Sequence, residues 1–452
     1  MTTTISVRFD GGRSGRTRST WGQRAIWGAM RDFGEDHHLF NTPFLVSNPD
    51  GWTVDAVTAG LRELLGLHES LRTRMGENPD GTTWQELDAR GEVTVELLDA
   101  GGDEQAVLDE VRARFLREPF DYAREWSVRV AAVCGNGLVR HVFFVVSHHV
   151  ADGESWVLLI NDYAALANGV PAEELTRDRI VFQPLDHTAY QESEDGVRQN
   201  AKALRYWENK LRTVPVTMFP AAFVAAHAQP REPRFWQARL TSRAVGAAAA
   251  HLADRWRTSS TTIVLAAWSK VLAEITGNTA CTIMVIINNR IQPRWRHVVS
   301  SIALEGIFSV ETAGVPFEEV VQRAKKASLA SYRHGDYDKD QLNELVRVIG
   351  AERGAEVDRG CWFNDMRFEP AGRPDVPLAE ALADPSATLE WTKKFDTQGD
   401  ETVSLHMMDV PGRPDLMQLS FTADTHVMAP EIIEKVLRDM NDLLLGEAVV
   451  VP

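Results

Sequence analysis

With 452 residues, 44% apolar and 25% charged, the chain has the make-up of a globular protein too long for one ordinary core, so two domains or lobes are expected. A net charge of -16 argues against nucleic acid as a partner, because phosphate binding needs a basic face, and it fits a soluble cytoplasmic protein. Three scattered cysteines (Cys134, Cys281, Cys361) give neither a disulfide framework nor zinc spacing, Met1 to Arg16 has no apolar core for a signal peptide, and no apolar run reaches the roughly 18 residues of a membrane span.

In chain order, Thr20-x-x-Gln23 predicts a reciprocal cap opening a helix from Trp21 to Phe33. His37 and His38 read as a polar turn. Val54, Val57, Leu61, Leu64 and Leu65 have helical spacing, ending near Gly66. Leu71 to Met75 and Thr82 to Leu87 read as extended, and Glu104 to Leu116 as a helix. Ser127 to Val133 and Leu138 to Ser147 predict paired strands across Gly135-Asn136-Gly137. A helix from Glu154 stops at Gly169 and Pro171, and another covers Val197 to Leu211. Pro215, Pro220, Pro230 and Pro233 punctuate an Ala-rich stretch that reads as a linker over 213–233.

Beyond it the pattern alternates again. Ser242 caps a helix to about Trp256. Thr261 to Ile275 is an apolar helix ended by Gly277, and Cys281 to Ile287 is a buried strand. Pro316, Glu318 and Glu319 open a helix that stops near Gly335. Strands are expected at Gly360 to Phe363, Val403 to Met408 and Leu416 to Thr422, then a last helix from Pro430 to Gly446. The class is α/β (α+β), with an N-terminal lobe over 1–212 and a C-terminal lobe over 234–452.

The stretch Ser147-His148-His149-Val150-Ala151-Asp152-Gly153 stands where the apolar run Val142 to Val146 ends and a helix begins. Strand-end loops on a rigid scaffold are where catalytic groups tend to be placed. An imidazole there can take a proton from an amine or hydroxyl attacking a carbonyl. Neighbouring residues at a strand end point to opposite sides, so one of His148 and His149 faces a given cleft. Asp152 either orients the imidazole or holds the loop through a cation, and Gly153 permits close approach or a positive φ. A His-His pair is also commonly plain hydrogen-bonded structure, so the motif alone is a hypothesis. Gly153-Glu154-Ser155 lacks the Gly-x-Ser-x-Gly elbow of serine hydrolases, and there is no His-Glu-x-x-His for a metal. The thirteen tryptophans read as core or tunnel wall.

The motif resembles the His-His-x-x-x-Asp-Gly signature of nonribosomal peptide synthetase condensation domains, in the chloramphenicol-acetyltransferase-like superfamily. Ser147 falls on the first histidine, His148 on the active-site histidine and His149 on a variable position, while Asp152 and Gly153 match outright. Thr20 to Trp27 looks like the family's opening Ser-x-Ala-Gln-x-Arg-Leu-Trp, with Ala25 at its arginine. His68-Glu69-Ser70-Leu71-Arg72-Thr73 is similar to its Arg-His-Glu-x-Leu-Arg-Thr. Fainter echoes are Leu185 to Tyr190, Thr261 to Arg290, Gly306-Ile307-Phe308 and His334-Gly335-Asp336-Tyr337.

The resemblance covers nearly the whole chain, which reads as a freestanding domain. It implies two lobes in a V around a central tunnel, with catalytic His148, Asp152 and Gly153 and a structural pair of Asp152 with Arg290. It implies no bound cofactor and no metal. The donor acyl or aminoacyl group would arrive as a thioester on the phosphopantetheine of an acyl or peptidyl carrier protein, to be joined to a small-molecule amine or hydroxyl acceptor in natural-product biosynthesis. His148 would position the nucleophile or accept its proton. Two other readings are a coenzyme A-dependent small-molecule acyltransferase and a condensation-like domain that only recruits partners.

Overall fold

The computed structural model describes residues 2–367, 377–397 and 399–449. The chain divides into two compact units, one made of Met1–Gln199 with Asn288–Ala303, the other of Asn200–Ile287 with Leu304–Pro452.

In the first unit the strands are β1 (Thr2–Asp10), β2 (Gly15–Arg18), β3 (Asn41–Trp52), β4 (Thr73–Glu77), β5 (Thr83–Leu87), β6 (Arg90–Asp99), β7 (Val128–Gly135) and β8 (Leu138–Ser147). They form a five-stranded sheet ordered β1-β6-β7-β8-β3 and a small sheet ordered β2-β5-β4. The β6 and β7 strands run parallel, and the helix Glu104–Arg117 makes the crossover between them. The β7–β8 hairpin turns at Asn136 and Gly137, both with positive φ (54° and 82°), as the Gly-Asn-Gly signal predicts.

Both faces of the large sheet are covered. Val142, Phe144 and Val146 of β8 pack with the helices Val54–Leu67 and Gly153–Ala167. Phe143 and Val145 pack with Met30, Val111 and Phe115, from the helices Trp21–Asp32 and Glu104–Arg117. Burial on two faces is why β8 reads as a continuous apolar run rather than an alternation. The Thr20–Gln23 capping box forms as expected.

Four strands of this unit, β1, β2, β3 and β6, escape the sequence reading. Strand β3 holds Pro43 and Pro49 yet pairs with β8, which it can do because it is an edge strand. At the other edge β1 alternates buried Val7 and Phe9 with exposed Ser6 and Arg8, a period-two signal that was there to be used. Inside the sheet, β6 buries Val93 and Val95. His37 and His38 lie in a 3₁₀ turn, Gly34–Phe40.

The second unit holds β9 (Phe235–Ser242), β10 (Ala280–Ile287), β11 (Leu304–Glu311), β12 (Cys361–Asp365), β13 (Ala387–Phe395), β14 (Val403–Val410) and β15 (Arg413–Asp424). They make one mixed sheet ordered β11-β10-β12-β14-β15-β9-β13. One face carries the core, where Ile283, Phe363, Leu405, Phe421 and Leu240 meet the helices Arg243–Arg255, Ser260–Thr276, Phe317–Arg333 and Pro430–Val449. The last helix continues through Gly446, because Leu444 and Ala448 keep its buried stripe going. Residues 213–233 lie in this unit. They contain the short helix Ala221–His227 and bury Met218, Phe219 and Phe223 in its core, so their prolines shape a packed segment. No helix among the described residues is long and apolar enough to cross a membrane.

Candidate active site

The strand β8 ends at Ser147, and residues 148–150 turn sharply before the helix Gly153–Ala167. Two main-chain bonds hold the turn: His148 N donates to Phe40 O (2.8 Å) and Val150 N to Ser147 O (3.1 Å).

The two histidines are separated as strand-end geometry predicts. His149 is fully buried, with Nδ1 3.0 Å from Ser147 Oγ, Nε2 3.4 Å from Ser127 Oγ, and its ring edge-on to Tyr122 at 5.0 Å. Burial, helped by His148, pushes its pKa down to about 3, so it stays neutral. His148 is half-buried, its ring edge-on to Trp156 at 5.9 Å. Its Nδ1 is buried and has no hydrogen-bond partner beyond the residue's own main chain among the described residues. Burial holds its pKa below the usual 6.5, against its own main chain and the Asp152 carboxylate, which pull the other way.

Asp152 resolves the alternative left open by the sequence. It caps the helix, accepting from Ser155 N (3.1 Å) and Ser155 Oγ (2.8 Å) on Oδ1. Arg290 donates in a fork, Nη2 to Oδ1 (2.7 Å) and Nη1 to Oδ2 (2.9 Å). The main-chain amides of Ile302 and Ala303 complete Oδ2, each at 3.1 Å. Three bonds fall on each oxygen, none of them from an imidazole. Burial by itself would raise this carboxyl, but Arg290, Ser155 and the Ile302 amide together hold it below its ordinary range.

Arg290 also donates to the carbonyls of Asn288 (3.1 Å) and Val298 (2.9 Å) and to Ser155 Oγ (3.0 Å). It stands after a turn at Asn289 (φ 55°), whose side chain donates to Ile302 O (2.9 Å). Ser155 Oγ in turn meets Ser300 O (3.0 Å) and Ser300 N (3.1 Å). The segment 288–303 is thus pinned to the start of the helix, and Trp295, packed among Phe182, His187 and Tyr190, anchors its middle.

Ser147, His148, His149, Asp152 and Arg290 all come together here. Of the two alternatives for Gly153, a positive φ does not hold: it is the first helical residue and is not among the left-handed glycines. Ser155, Trp156 and the amides of 302 and 303 were missed. Ser155 carries a signal, standing three residues after the capping Asp152; the amides carry none, since any residue has one. The matched stretch His68 to Arg72 is buried structure: His68 Nε2 meets Asp162 Oδ2 (2.9 Å), which Arg179 grips from the other side, and Arg72 donates to the carbonyls of Leu65 and Asp88. No three His, Cys, Asp or Glu side chains among the described residues are placed to hold a metal ion.

Gly22 is needed for close approach. A Cβ there would stand 2.2 Å from Ser301 O. Gly22→Ala must push aside the segment that carries Arg290, at a cost of about 1–3 kcal/mol. Thermal melts should show this loss, and an unchanged melting temperature would contradict the packing.

The buried histidines also set an acid limit. His149 and His187 are held at about 3 and His406 at about 4, chiefly by burial. Below pH 6.5 the unfolded chain takes protons that these folded imidazoles refuse, so stability falls as pH falls, by about 1.4 kcal/mol per pH unit for each. Asp336 opposes one of them: burial raises its carboxyl to about 7, and that penalty is relieved as pH drops. The expected result is a melting temperature that declines steadily from pH 6.5 to 4.5; a flat profile there would overturn the neutral-histidine assignment.

The family model for the condensation domain matches residues 20–359. The chain belongs to the condensation domain family. Members of this family are acyltransferases that form amide or ester bonds in natural-product biosynthesis. The chain is 24% identical over 402 residues to tyrocidine synthase 3 of Brevibacillus parabrevis, covering 85% of this chain and 6% of that protein. It is 26% identical over 335 residues to bacitracin synthase 1 of Bacillus licheniformis, covering 71% of this chain and 6% of that protein. The chain therefore spans only a small part of the length of these relatives. The condensation domain of the monacolin K polyketide synthase MokA has the same fold, with a TM-score of 0.72, 17% identity, and 96% of this chain and 98% of that one covered.

Proposed function

We propose that this condensation domain transfers an acyl or aminoacyl group from the phosphopantetheine thioester of a carrier protein to an amine or hydroxyl acceptor. The observation that carries the reading is the full commitment of Asp152. Its six hydrogen bonds leave His148 as the motif's one half-exposed titratable side chain.

The acceptor's nitrogen or oxygen attacks the thioester carbonyl carbon. A C–N or C–O bond forms, the C–S bond breaks, and the pantetheine sulfur leaves as thiolate. His148 is the group for the proton. Its Nδ1 is shut away, so Nε2 meets the acceptor, takes its proton and returns it to the departing thiolate. A pKa below 6.5 suits this part, because the ring is then in its accepting form at neutral pH. Holding acceptor and thioester together supplies a further share of the barrier reduction.

The direct partner is an acyl or peptidyl carrier protein. Such carriers are commonly acidic, and this chain carries a net charge of -16, so docking rests on a local basic or apolar patch rather than bulk attraction. The test is a mass-spectrometric discharge assay. Carrier proteins loaded with candidate acyl groups are mixed with amines and alcohols, with wild type beside His148→Ala. A new amide or ester that vanishes in the mutant supports the reading. Discharge from free acyl-coenzyme A at the same rate would point to the small-molecule acyltransferase. A folded protein that binds carrier and yields no product would point to recruitment.

A further inference from the structure

Ten large apolar side chains are exposed among the described residues, and three of them stand on two short segments of the first unit. Ile180 (51% exposed) and Val181 (53%) lie in 177–182, and Ile291 (63%) lies in 291–297.

The two segments meet at the buried Trp295. Phe182 stands edge-on to its ring, with centroids 4.6 Å apart. His297 lies near Arg179 of the first segment and Arg296 of the second: burial, and then these two charges, hold its imidazole below the usual 6.5. Val181 is one residue from Phe182. Ile291 is four from Trp295, at most about 14 Å along the chain.

Both segments are held from beneath. Just before Ile180, Arg179 forks onto the buried Asp162, Nη1 to Oδ2 (2.7 Å) and Nη2 to Oδ1 (2.8 Å). Just after Phe182, Gln183 Nε2 donates to Leu67 O (2.8 Å). Just before Ile291, Arg290 forks onto Asp152. The exposed side chains therefore project from fixed backbone, and a partner that covers them has little chain to order.

The rim of this surface is basic. Arg177, Arg294 and Arg296 are exposed, and none makes an ion pair among the described residues. Other exposed guanidiniums of the unit are answered by carboxylates, Arg8 by Glu92, Arg90 by Asp10 and Arg124 by Asp121. Segment 288–303 holds no Asp or Glu, and 177–182 only Asp178. Arg294 lies over the rings of Tyr190 (5.1 Å) and Trp295 (5.7 Å), which fixes it without cancelling its charge.

Exposed apolar residues with a polar rim mark interaction surfaces, and arginine is enriched in them. In a chain of net charge -16, unanswered guanidiniums around an apolar centre select an acidic partner. The apolar centre suits a protein face rather than a bare polyanion.

We infer that Arg177, Ile180, Val181, Ile291, Arg294 and Arg296 form the face on which an acidic carrier protein docks. This deepens the carrier-dependent reading above and rests on it. The same stretch of chain carries Arg290, bonded to Asp152 four residues past His148, so the face belongs to the unit that holds the motif. The three aliphatic side chains meet an apolar strip of the carrier, and the guanidiniums meet carboxylates around it.

The test compares two donors of one acyl group, the carrier-bound thioester and the thioester of free pantetheine. Rates are read by mass spectrometry. Binding of each carrier protein of the discharge assay to the full chain is read by calorimetry. The variants are Arg294→Glu with Arg296→Glu, and Ile180→Asp. The expected result is carrier binding weakened about tenfold or more, a matching rise in KM for the carrier-bound donor, and unchanged rates with acyl-pantetheine. Wild-type binding weakens as salt is raised. The side chains are exposed, so melting temperatures hold. If losing the Arg294 ring contacts lowers them, Arg296→Glu with Ile180→Asp carries the test.

Variants that bind and use the carrier as the wild type does overturn the inference and leave the condensation reading standing. Binding lost in the variants, with no product from any donor in the wild type, keeps the face and removes the condensation reading. A wild type that binds no carrier overturns the inference. Self-association that the variants abolish, without carrier binding, overturns it too and gives the face to a second copy of the chain.

Discussion

Asp152→Ala should melt far below the wild type, or aggregate on expression. The carboxylate is buried and receives six hydrogen bonds, two of them from a guanidinium buried beside it. Its removal strands the Arg290 charge in the interior, frees the amides of Ile302 and Ala303, and uncaps the helix that follows. Breaking a buried pair by deleting one partner costs about 3–5 kcal/mol, and loss of the cap adds about 1. In a unit of this size that is a fall of roughly 10 °C or more in melting temperature. Arg290→Ala should cost a similar amount. The double variant should cost less than the sum, since neither charge is then left alone. Equal melting temperatures for wild type and Asp152→Ala would refute the structural role given to this pair.

His148→Ala should do the opposite, keeping the fold and losing the reaction. The ring is half-exposed, and its buried Nδ1 bonds to no other residue among those described, so its deletion leaves no partner orphaned. What goes is an edge contact with Trp156, worth about 0.5–1.5 kcal/mol. Turnover should drop about a hundred- to ten-thousand-fold, the usual share of a positioned base. In the wild type the rate should hold steady above pH 6.5 and fall only below it, because burial lowers the pKa at which the ring is disabled. His149→Ala is the control. That ring is fully buried between Ser147 and Ser127, so its removal should lower the melting temperature and leave the acid limb of the rate profile where it was. Full activity in His148→Ala would end its assignment to the chemistry.

The exchange of Ser147 for the motif's first histidine has a local answer in the structure. The Ser147 hydroxyl pairs with the imidazole two residues on, His149, which stands at the family's variable position. The turn thus holds one buried imidazole, His149, beside the half-exposed His148.

What the amino-acid sequence determined by itself was local. The Thr20–Gln23 box, the Gly-Asn-Gly turn, the left-handed Gly277 stop and the apolar run into Ser147 each rest on residues a few positions apart, and each forms as read. The separation of His148 from His149 follows from strand alternation alone. Edge strands with prolines were hidden because their pairing depends on a partner a hundred residues away, as for β3 with β8. The second half of the site was hidden for the same reason. The bonds from Ile302 and Ala303 come from main-chain amides, which no side chain advertises, and Gly22 matters only because Ser301 O lies against it. The residues by themselves left the role of Asp152 open, since a carboxylate four residues from an imidazole can serve it or serve the fold; the resemblance implied the pair with Arg290, and the tertiary structure shows it together with the partners that the sequence did not give. Here a guanidinium 138 positions away, two distant amides and the neighbouring Ser155 occupy both carboxylate oxygens, and none of those six bonds comes from an imidazole.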